Sequence, residues 1–163
     1  MNKAILFIFS GLPAVGKSTL AKSVVKYFEA VYLRIDTIEQ GLKDLCHIDV
    51  EGEGYRLAYR MAADNLQLGN NVVADCCNPI ELTRQEWEDV AENNNCRFVN
   101  IEVVCSDKTE HKKRAKQRNA EVANMKLPVW NDIENREYHE WHKSRIIIDT
   151  AGKTIKQCQT ELK

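Results

Sequence analysis

Short apolar blocks alternate along the chain with longer stretches of helical periodicity. Ala4-Ile5-Leu6-Phe7-Ile8-Phe9 is a near-continuous apolar run, the pattern of a parallel strand covered on both faces. Leu20 to Phe28 has helical spacing, and Ala30 to Ile35 reads as a second strand, with a helix predicted from Ile38 to Leu45. A polar connection, Cys46 to Gly52, leads to a helix from Glu53 to Leu68, closed by Gly69-Asn70. Asn71 to Asp75 is a short third strand. Glu81 to Asn94 is an amphipathic helix with Leu82, Trp87 and Val90 as its expected packing positions. Arg97 to Cys105 gives a fourth strand, and Ser106 or Asp107 caps the helix after it. The irregular polar stretch from Asn119 to Pro128 suits a lid or hinge. A last helical stretch runs from Pro128 to about His142, Ser144 to Thr150 is a fifth strand, and the tail from Lys153 to Lys163 is a short helix or disordered. Strands alternating with helices predict an α/β fold with a parallel sheet.

The junction between the first strand and helix carries Gly11-Leu12-Pro13-Ala14-Val15-Gly16-Lys17-Ser18-Thr19, which fits G-x-x-x-x-G-K-[ST] without a mismatch. Gly11 and Gly16 allow backbone conformations that let successive N–H groups turn inward around phosphate oxygens. Lys17 reaches the β- and γ-phosphates in this reading, the Ser18 hydroxyl coordinates Mg²⁺, and the helix dipole points at the nucleotide. The motif sits between a strand and a helix, as that chemistry requires.

Two strands end in carboxylates, and the carboxyl ends of strands line the ligand crevice in open α/β sheets. Asp36 is placed to accept the proton of a hydroxyl nucleophile or to hold a magnesium water, and it can also N-cap the next helix. Asp75 is placed to hold Mg²⁺ through water; Asn78, before Pro79, is either a substrate contact or turn chemistry. Arg56 and Arg60 lie one helical turn apart beside Tyr55 and Tyr59, forming an acceptor-site wall or a solvated basic face. Arg114 and Arg118 share a face of the basic run His111 to Arg118. There they could stack on adenine or neutralise the transferring phosphoryl group. Arg136 is a further lid candidate.

Composition narrows the partners. The chain has 163 residues, a formal net charge of -1 and 29% charged residues, which argues against a protein built to coat nucleic acid or anionic membrane. One domain over 1–163 is expected. No stretch is long and apolar enough to span a bilayer and no signal-peptide pattern is present, so a cytoplasmic protein is expected. Six cysteines without C-x-x-C spacing, Cys76 and Cys77 among them, read as reduced thiols.

With these motifs in this order, the chain resembles the small P-loop kinases that include gluconate and shikimate kinases, adenylylsulfate kinase, chloramphenicol phosphotransferase, zeta toxins and the polynucleotide 5′-kinase domain. It is most similar to the predicted bacterial kinases described as AAA-type P-loop ATP-binding proteins. The resemblance implies a three-layer P-loop NTPase fold, with a five-stranded parallel sheet of order 2-3-1-4-5, helices on both faces and a small lid at about 114–137. It implies ATP and Mg²⁺ bound by Gly11, Pro13, Ala14, Val15, Gly16, Lys17, Ser18 and Thr19. By the same resemblance Asp36 activates the acceptor hydroxyl, Arg114 and Arg118 form an R-x-x-x-R lid pair, Asp75 lies near the metal, and the turn containing Thr150 and Gly152 contacts adenine. The expected activity is transfer of the γ-phosphate to a hydroxyl of a small molecule by a monomer or homodimer. The alternatives are a nucleotide or polynucleotide 5′-hydroxyl kinase and an ATP-binding switch. No arginine follows Asp36 by two or three residues as in polynucleotide kinases, which disfavours a nucleic-acid end.

Overall fold

The strands of this computed structural model, which describes residues 3–162, are β1 (Ile5–Ser10), β2 (Val31–Arg34), β3 (Val72–Asp75), β4 (Arg97–Val104) and β5 (Ile146–Asp149). They form one five-stranded sheet of order β2-β3-β1-β4-β5, with every neighbouring pair parallel. Parallel neighbours need crossovers, and these are supplied by α1 (Lys17–Phe28), α2 (Ile35–Cys46), α3 (Glu53–Gln67), α4 (Glu81–Asn93) and α5 (Lys108–Gln117). Two short helices, α6 (Trp130–Glu134) and α7 (Ile155–Glu161), complete the described residues.

The period of two along β1 divides the core. Leu6 and Ile8 face α3 and α4, where they join Ala58, Ala62, Leu66, Trp87 and Ala91. Phe7 and Phe9 face α1 and α7, beside Leu20, Ala21, Val24 and Cys158. Both faces are therefore covered, and each large apolar side chain so buried contributes about 1.5–3 kcal/mol. Trp87 is fully buried with the Tyr59 ring edge-on at 4.7 Å. All strands point the same way, so the segments after Ser10, Arg34, Asp75, Val104 and Asp149 gather along one edge of the sheet.

Local details differ from the sequence expectations for physical reasons. β2 passes into α2 without a loop, because Ile35 is buried as the first helical residue and Arg34 takes the N-cap position. Asp36 therefore lies inside the first turn of α2 and is not its N-cap. In α4 the inward positions are Arg84, Trp87, Glu88 and Ala91, spaced as one helical face, and Leu82 is exposed. The helix expected from Pro128 to about His142 is confined to Trp130–Glu134. Beyond it the Arg84 guanidinium takes the carbonyls of His139 and Glu140 and stacks on Tyr138 and Trp141, so those carbonyls are drawn to α4 instead of a helical ladder. All six cysteines are free, and no helix among the described residues is long and apolar enough to cross a membrane.

Candidate active site

The loop from Gly11 to Gly16 is bent by its sequence. Gly11 has φ +145°, and a Cβ there would lie 2.3 Å from the Val103 carbonyl oxygen, so only glycine fits between β1 and β4. Ala14 (φ 68°) and Gly16 (φ 93°) both take the left-handed region, where the Ala14 Cβ is strained. Gly16 stands at the N-cap of α1, and Lys17, Ser18 and Thr19 form its first turn. The N–H groups of that turn have no carbonyl partner within the helix, which makes them available to an anion. Gly11 N–H donates to the Cys77 carbonyl (3.1 Å), tying the loop to the segment after β3.

Asp75, at the end of β3, is the buried anion beneath the loop. Lys17 Nζ donates to its Oδ1 at 3.1 Å and the Tyr32 hydroxyl donates to its Oδ2 at 2.6 Å. Burial alone would raise the Asp75 pKa, but Lys17, with Tyr32 and the Ser18 hydroxyl, holds it below the usual carboxylate range. Burial alone would likewise lower Lys17; Asp75, helped by Asp36, keeps its ammonium raised and charged. The Tyr32 phenol is pushed up by burial and by the same carboxylate.

Above the loop lies a cavity of about 280 Å³ lined by Gly11, Leu12, Pro13, Ala14 and Gly16 to Thr19, together with Arg34, Asp36, Cys77, Arg114 and Arg118. Its outer wall comes from the segment between α5 and α6, through Glu121, Met125, Leu127 and Pro128, and from Arg136. Asp36 sits 4.0 Å from Arg34 Nε, an ion-pair distance too long for a hydrogen bond. Its charge acts on both Lys17 and Arg118, with which it lines the same cavity. Burial pulls the Arg118 guanidinium below the usual arginine range, against the pull of Asp36, and its Nε and Nη2 have no acceptor among the described residues. Glu121 accepts from Lys22 (2.5 Å) and Arg34 (2.9 Å), tying that segment to α1 and β2.

A second cavity of about 290 Å³ adjoins the first across Ala14, Gly16, Thr19 and Arg114, and is walled by Leu20, Thr150, Lys153, Ile155 and Cys158. One polar and one largely apolar compartment, on either side of the loop, suit the phosphates and the base of a nucleotide.

The expected residues separate into groups. Gly11, Pro13, Ala14, Gly16, Lys17, Ser18, Thr19, Asp36, Arg114, Arg118 and Arg136 meet at the first cavity. Val15 is buried, so only its backbone faces the loop's work. Arg114 and Arg118 do not share a helix face: α5 ends at Gln117, and Arg118 is extended (φ -72°, ψ 148°). Arg114 turns to Thr150, donating to its hydroxyl (2.7 Å) and carbonyl (2.9 Å), while Arg118 turns toward Asp36. Thr150 is buried and its hydroxyl is already engaged, and Gly152 donates its N–H to Glu110; of the two, only Thr150 lines the apolar cavity. Three assignments to the substrate wall are corrected. Arg56 is exposed and paired with Glu53, Arg60 is exposed, and neither lines the cavity. Asn78 is fully buried, donating to Ser10 Oγ (3.1 Å) and accepting Arg84 Nε on its carbonyl (2.9 Å), so it supports the crevice from behind. Sequence reading passed over Arg34, Cys77 and Glu121. The strand-end rule that singled out Asp36 and Asp75 applied equally to Arg34 and Cys77; nothing local marks Glu121.

The oxygens of Ser18 and Asp75, hydrogen-bonded to each other, are the hard donors that Mg²⁺ selects. Among the described residues no cluster of three or more Asp, Glu, His or Cys could cage a cation alone. A magnesium ion here would thus be held by one or two protein oxygens, with nucleotide phosphates and water completing its octahedron.

Comparison with known proteins agrees with this geometry. No curated protein matches the chain at the sequence level. Among solved structures, the APS kinase CysC of Mycobacterium tuberculosis, in complex with AMPPNP and APS, superposes with a TM-score of 0.73 at 16% identity, covering 99% of this chain and 97% of that one. A gluconokinase from Sinorhizobium meliloti gives 0.68 at 11% identity, with 99% and 90% covered. Kti12 of Chaetomium thermophilum, in complex with ADP-AlF3, gives 0.63 at 18% identity, with 95% and 94% covered. At these identities the likeness establishes the fold, that of small P-loop kinases. A family model described as an AAA domain, AAA_33, matches residues 6–136, most of the chain and all of the loop, both strand-end carboxylates and the lid, and the chain belongs to that family.

Proposed function

We propose that the protein transfers the γ-phosphoryl group of ATP to a hydroxyl of a small molecule. The observation that carries this reading is that Asp36 lines one cavity with Lys17, Ser18 and Arg118. A carboxylate so placed can orient and deprotonate a nucleophile that attacks the γ-phosphate. Asp36 accepts the proton of the attacking hydroxyl, Lys17 leaves Asp75 for the phosphates, and Arg118 supplies the charge that spreads over the transferring oxygens. Bound Mg²⁺, at Ser18 and Asp75, would neutralise phosphate charge.

Lys17, Arg34, Arg114, Arg118 and Arg136 outnumber Asp36 and Glu121 around this cavity, a cationic surplus that suits the phosphates of a nucleotide. The APS kinase and gluconokinase neighbours are consistent with a hydroxyl acceptor. A polynucleotide acceptor loses its motivation, since Arg56 and Arg60 lie outside the cavity.

ADP release measured with ATP and Mg²⁺ over a panel of sugars, sugar acids, nucleosides, adenylylsulfate, aminoglycosides, amphenicols and RNA or DNA 5′-ends tests the reading. One acceptor should stimulate release and gain a phosphoryl group. Asp36→Asn should then lower turnover about 10²–10⁴-fold with ATP affinity nearly unchanged. Normal turnover in Asp36→Asn removes the general-base role, and slow hydrolysis indifferent to every hydroxyl replaces the kinase with an ATPase switch.

A further inference from the structure

A loop that turns its N–H groups toward phosphate must turn the carbonyls of the same peptide units outward, where they need donors of their own. His111, in the middle of α5, is such a donor. Its Nε2 lies 2.8 Å from the Pro13 carbonyl oxygen. A carbonyl only accepts, so Nε2 carries the hydrogen. The ring is buried and packed edge-to-face on Trp130, with centroids 5.0 Å apart at 87°. We infer that His111 is a positioning residue for the nucleotide: it holds the Pro13–Ala14 peptide in the orientation that presents the Ala14 N–H to phosphate.

The peptide unit between Pro13 and Ala14 is trans. C=O and N–H point in opposite directions across it, so fixing the Pro13 carbonyl against α5 aims the Ala14 N–H into the cavity that Ala14 lines. Ala14 holds φ at 68°, a strained conformation for a residue with a Cβ. A flip of this peptide would relieve that strain and withdraw the N–H, and the His111 bond opposes the flip. The next outward carbonyl, Val15, has the Thr150 hydroxyl 2.8 Å away, and Thr150 is held by Arg114, one turn beyond His111 on α5. One helix thus supports two peptides of the loop. Because Trp130 opens α6, just after the lid segment, His111 also ties the loop to the far end of the lid.

This inference rests on the nucleotide reading above, and the test separates the two. Binding of MgATP is measured by calorimetry for the wild type, Lys17→Ala, His111→Phe and His111→Gln, with unfolding temperatures alongside. His111→Phe keeps a ring against Trp130 and lacks the donor; His111→Gln restores an N–H at similar reach. His111→Phe should bind MgATP about tenfold more weakly, and His111→Gln should regain most of the loss at a similar unfolding temperature. Unchanged affinity in His111→Phe overturns the inference while leaving the nucleotide site standing. So does a loss in both variants that tracks their unfolding temperatures. If the wild type binds no better than Lys17→Ala, the nucleotide reading and the inference fall together. A measurement on the unsubstituted protein needs no variant to fold: nitrogen-correlated NMR of the His111 ring should show a hydrogen on Nε2, and a ring protonated on Nδ1 alone contradicts the bond.

Discussion

Lys17→Ala is the natural inactive control for a P-loop protein, and the structure says it will not be a silent one. The Lys17 ammonium and the Asp75 carboxylate meet at 3.1 Å with side-chain exposures of 12% and 1%. Removing one member of a buried pair costs about 3–5 kcal/mol, because the other charge is left in a dry site. Asp75 has an escape, protonation, and its cost sets an upper bound. Lifting a carboxyl from its ordinary 3.8 to neutrality at pH 7 costs about 4 kcal/mol, at roughly 1.4 kcal/mol per pH unit. The Tyr32 and Ser18 hydroxyls that remain on Asp75 soften this toward about 3 kcal/mol. In a chain of this size each kcal/mol moves Tm by roughly 2–4 °C, so Lys17→Ala should melt about 6–12 °C below the wild type without nucleotide. The sign with pH follows from the depressed Asp75 pKa: the pair's stabilisation is present above the ordinary carboxylate range and lost on acidification through the lowered value. The gap between wild type and Lys17→Ala should therefore narrow as pH falls below about 4. The decisive assay is a double-mutant cycle by thermal and urea unfolding. Lys17→Ala with Asp75→Asn should be more stable than Lys17→Ala alone, since no orphaned charge remains. Equal melting of Lys17→Ala and wild type, or strictly additive losses in the double variant, would refute the reasoning. If it holds, weak ATP binding by Lys17→Ala reflects a damaged loop as well as a lost phosphate contact.

Glu121→Gln loosens the lid's hold on Lys22 and Arg34; these groups are largely exposed on the Glu121 side, so stability should change by less than about 1 kcal/mol while nucleotide dissociation in stopped flow speeds up several-fold. High salt should bring the wild type toward the variant, and a shared salt dependence would sink the latch. Glu53, whose carboxylate accepts the backbone N–H groups of Glu51 and Gly52 before α3, has its pKa lowered to about 2 by those bonds. Its stabilisation is complete above about 4.5 and disappears on the way down to about 2, so wild type and Glu53→Gln should differ in urea midpoint at pH 6 and converge at pH 2–3. Gly11→Ala drives a Cβ to 2.3 Å from the Val103 carbonyl and should cost about 2–3 kcal/mol and abolish ATP binding; a folded variant of normal affinity contradicts the packing.

What the sequence made legible was local: the strand–loop–helix of Gly11 to Phe28, the two carboxylates at strand ends, and the lid's polarity. These follow from short-range rules of period, glycine and charge. The strand order came through resemblance, and it is the order seen. What stayed hidden depends on contacts between distant segments. Arg56 and Arg60 looked like an acceptor wall because helical spacing shows which residues share a face, never which way that face points. Asn78 looked available because turn chemistry and catalysis favour the same residue type, and only Ser10 and Arg84, 68 and 6 positions away, reveal its burial. Glu121 pairs with Lys22 across 99 positions, and no pattern within either segment encodes that meeting.

The order of the sheet separates two tasks that one cleft must perform. β1, whose end becomes the phosphate loop, is flanked by β3 and β4, so the phosphate grip is anchored in the middle of the core. β2, which delivers Asp36 through α2, is an edge strand paired to β3 alone, and the lid that completes the other wall belongs to no strand. On the proposed kinase reading, changes in α2 reshape the acceptor side of the cleft while leaving the central phosphate loop in place. Such a chassis lets one energy-donor module be re-used against new acceptors by mutation at its margin, and a library randomised at Cys77, Met125, Leu127 and Arg136 is where a change of acceptor should first be found.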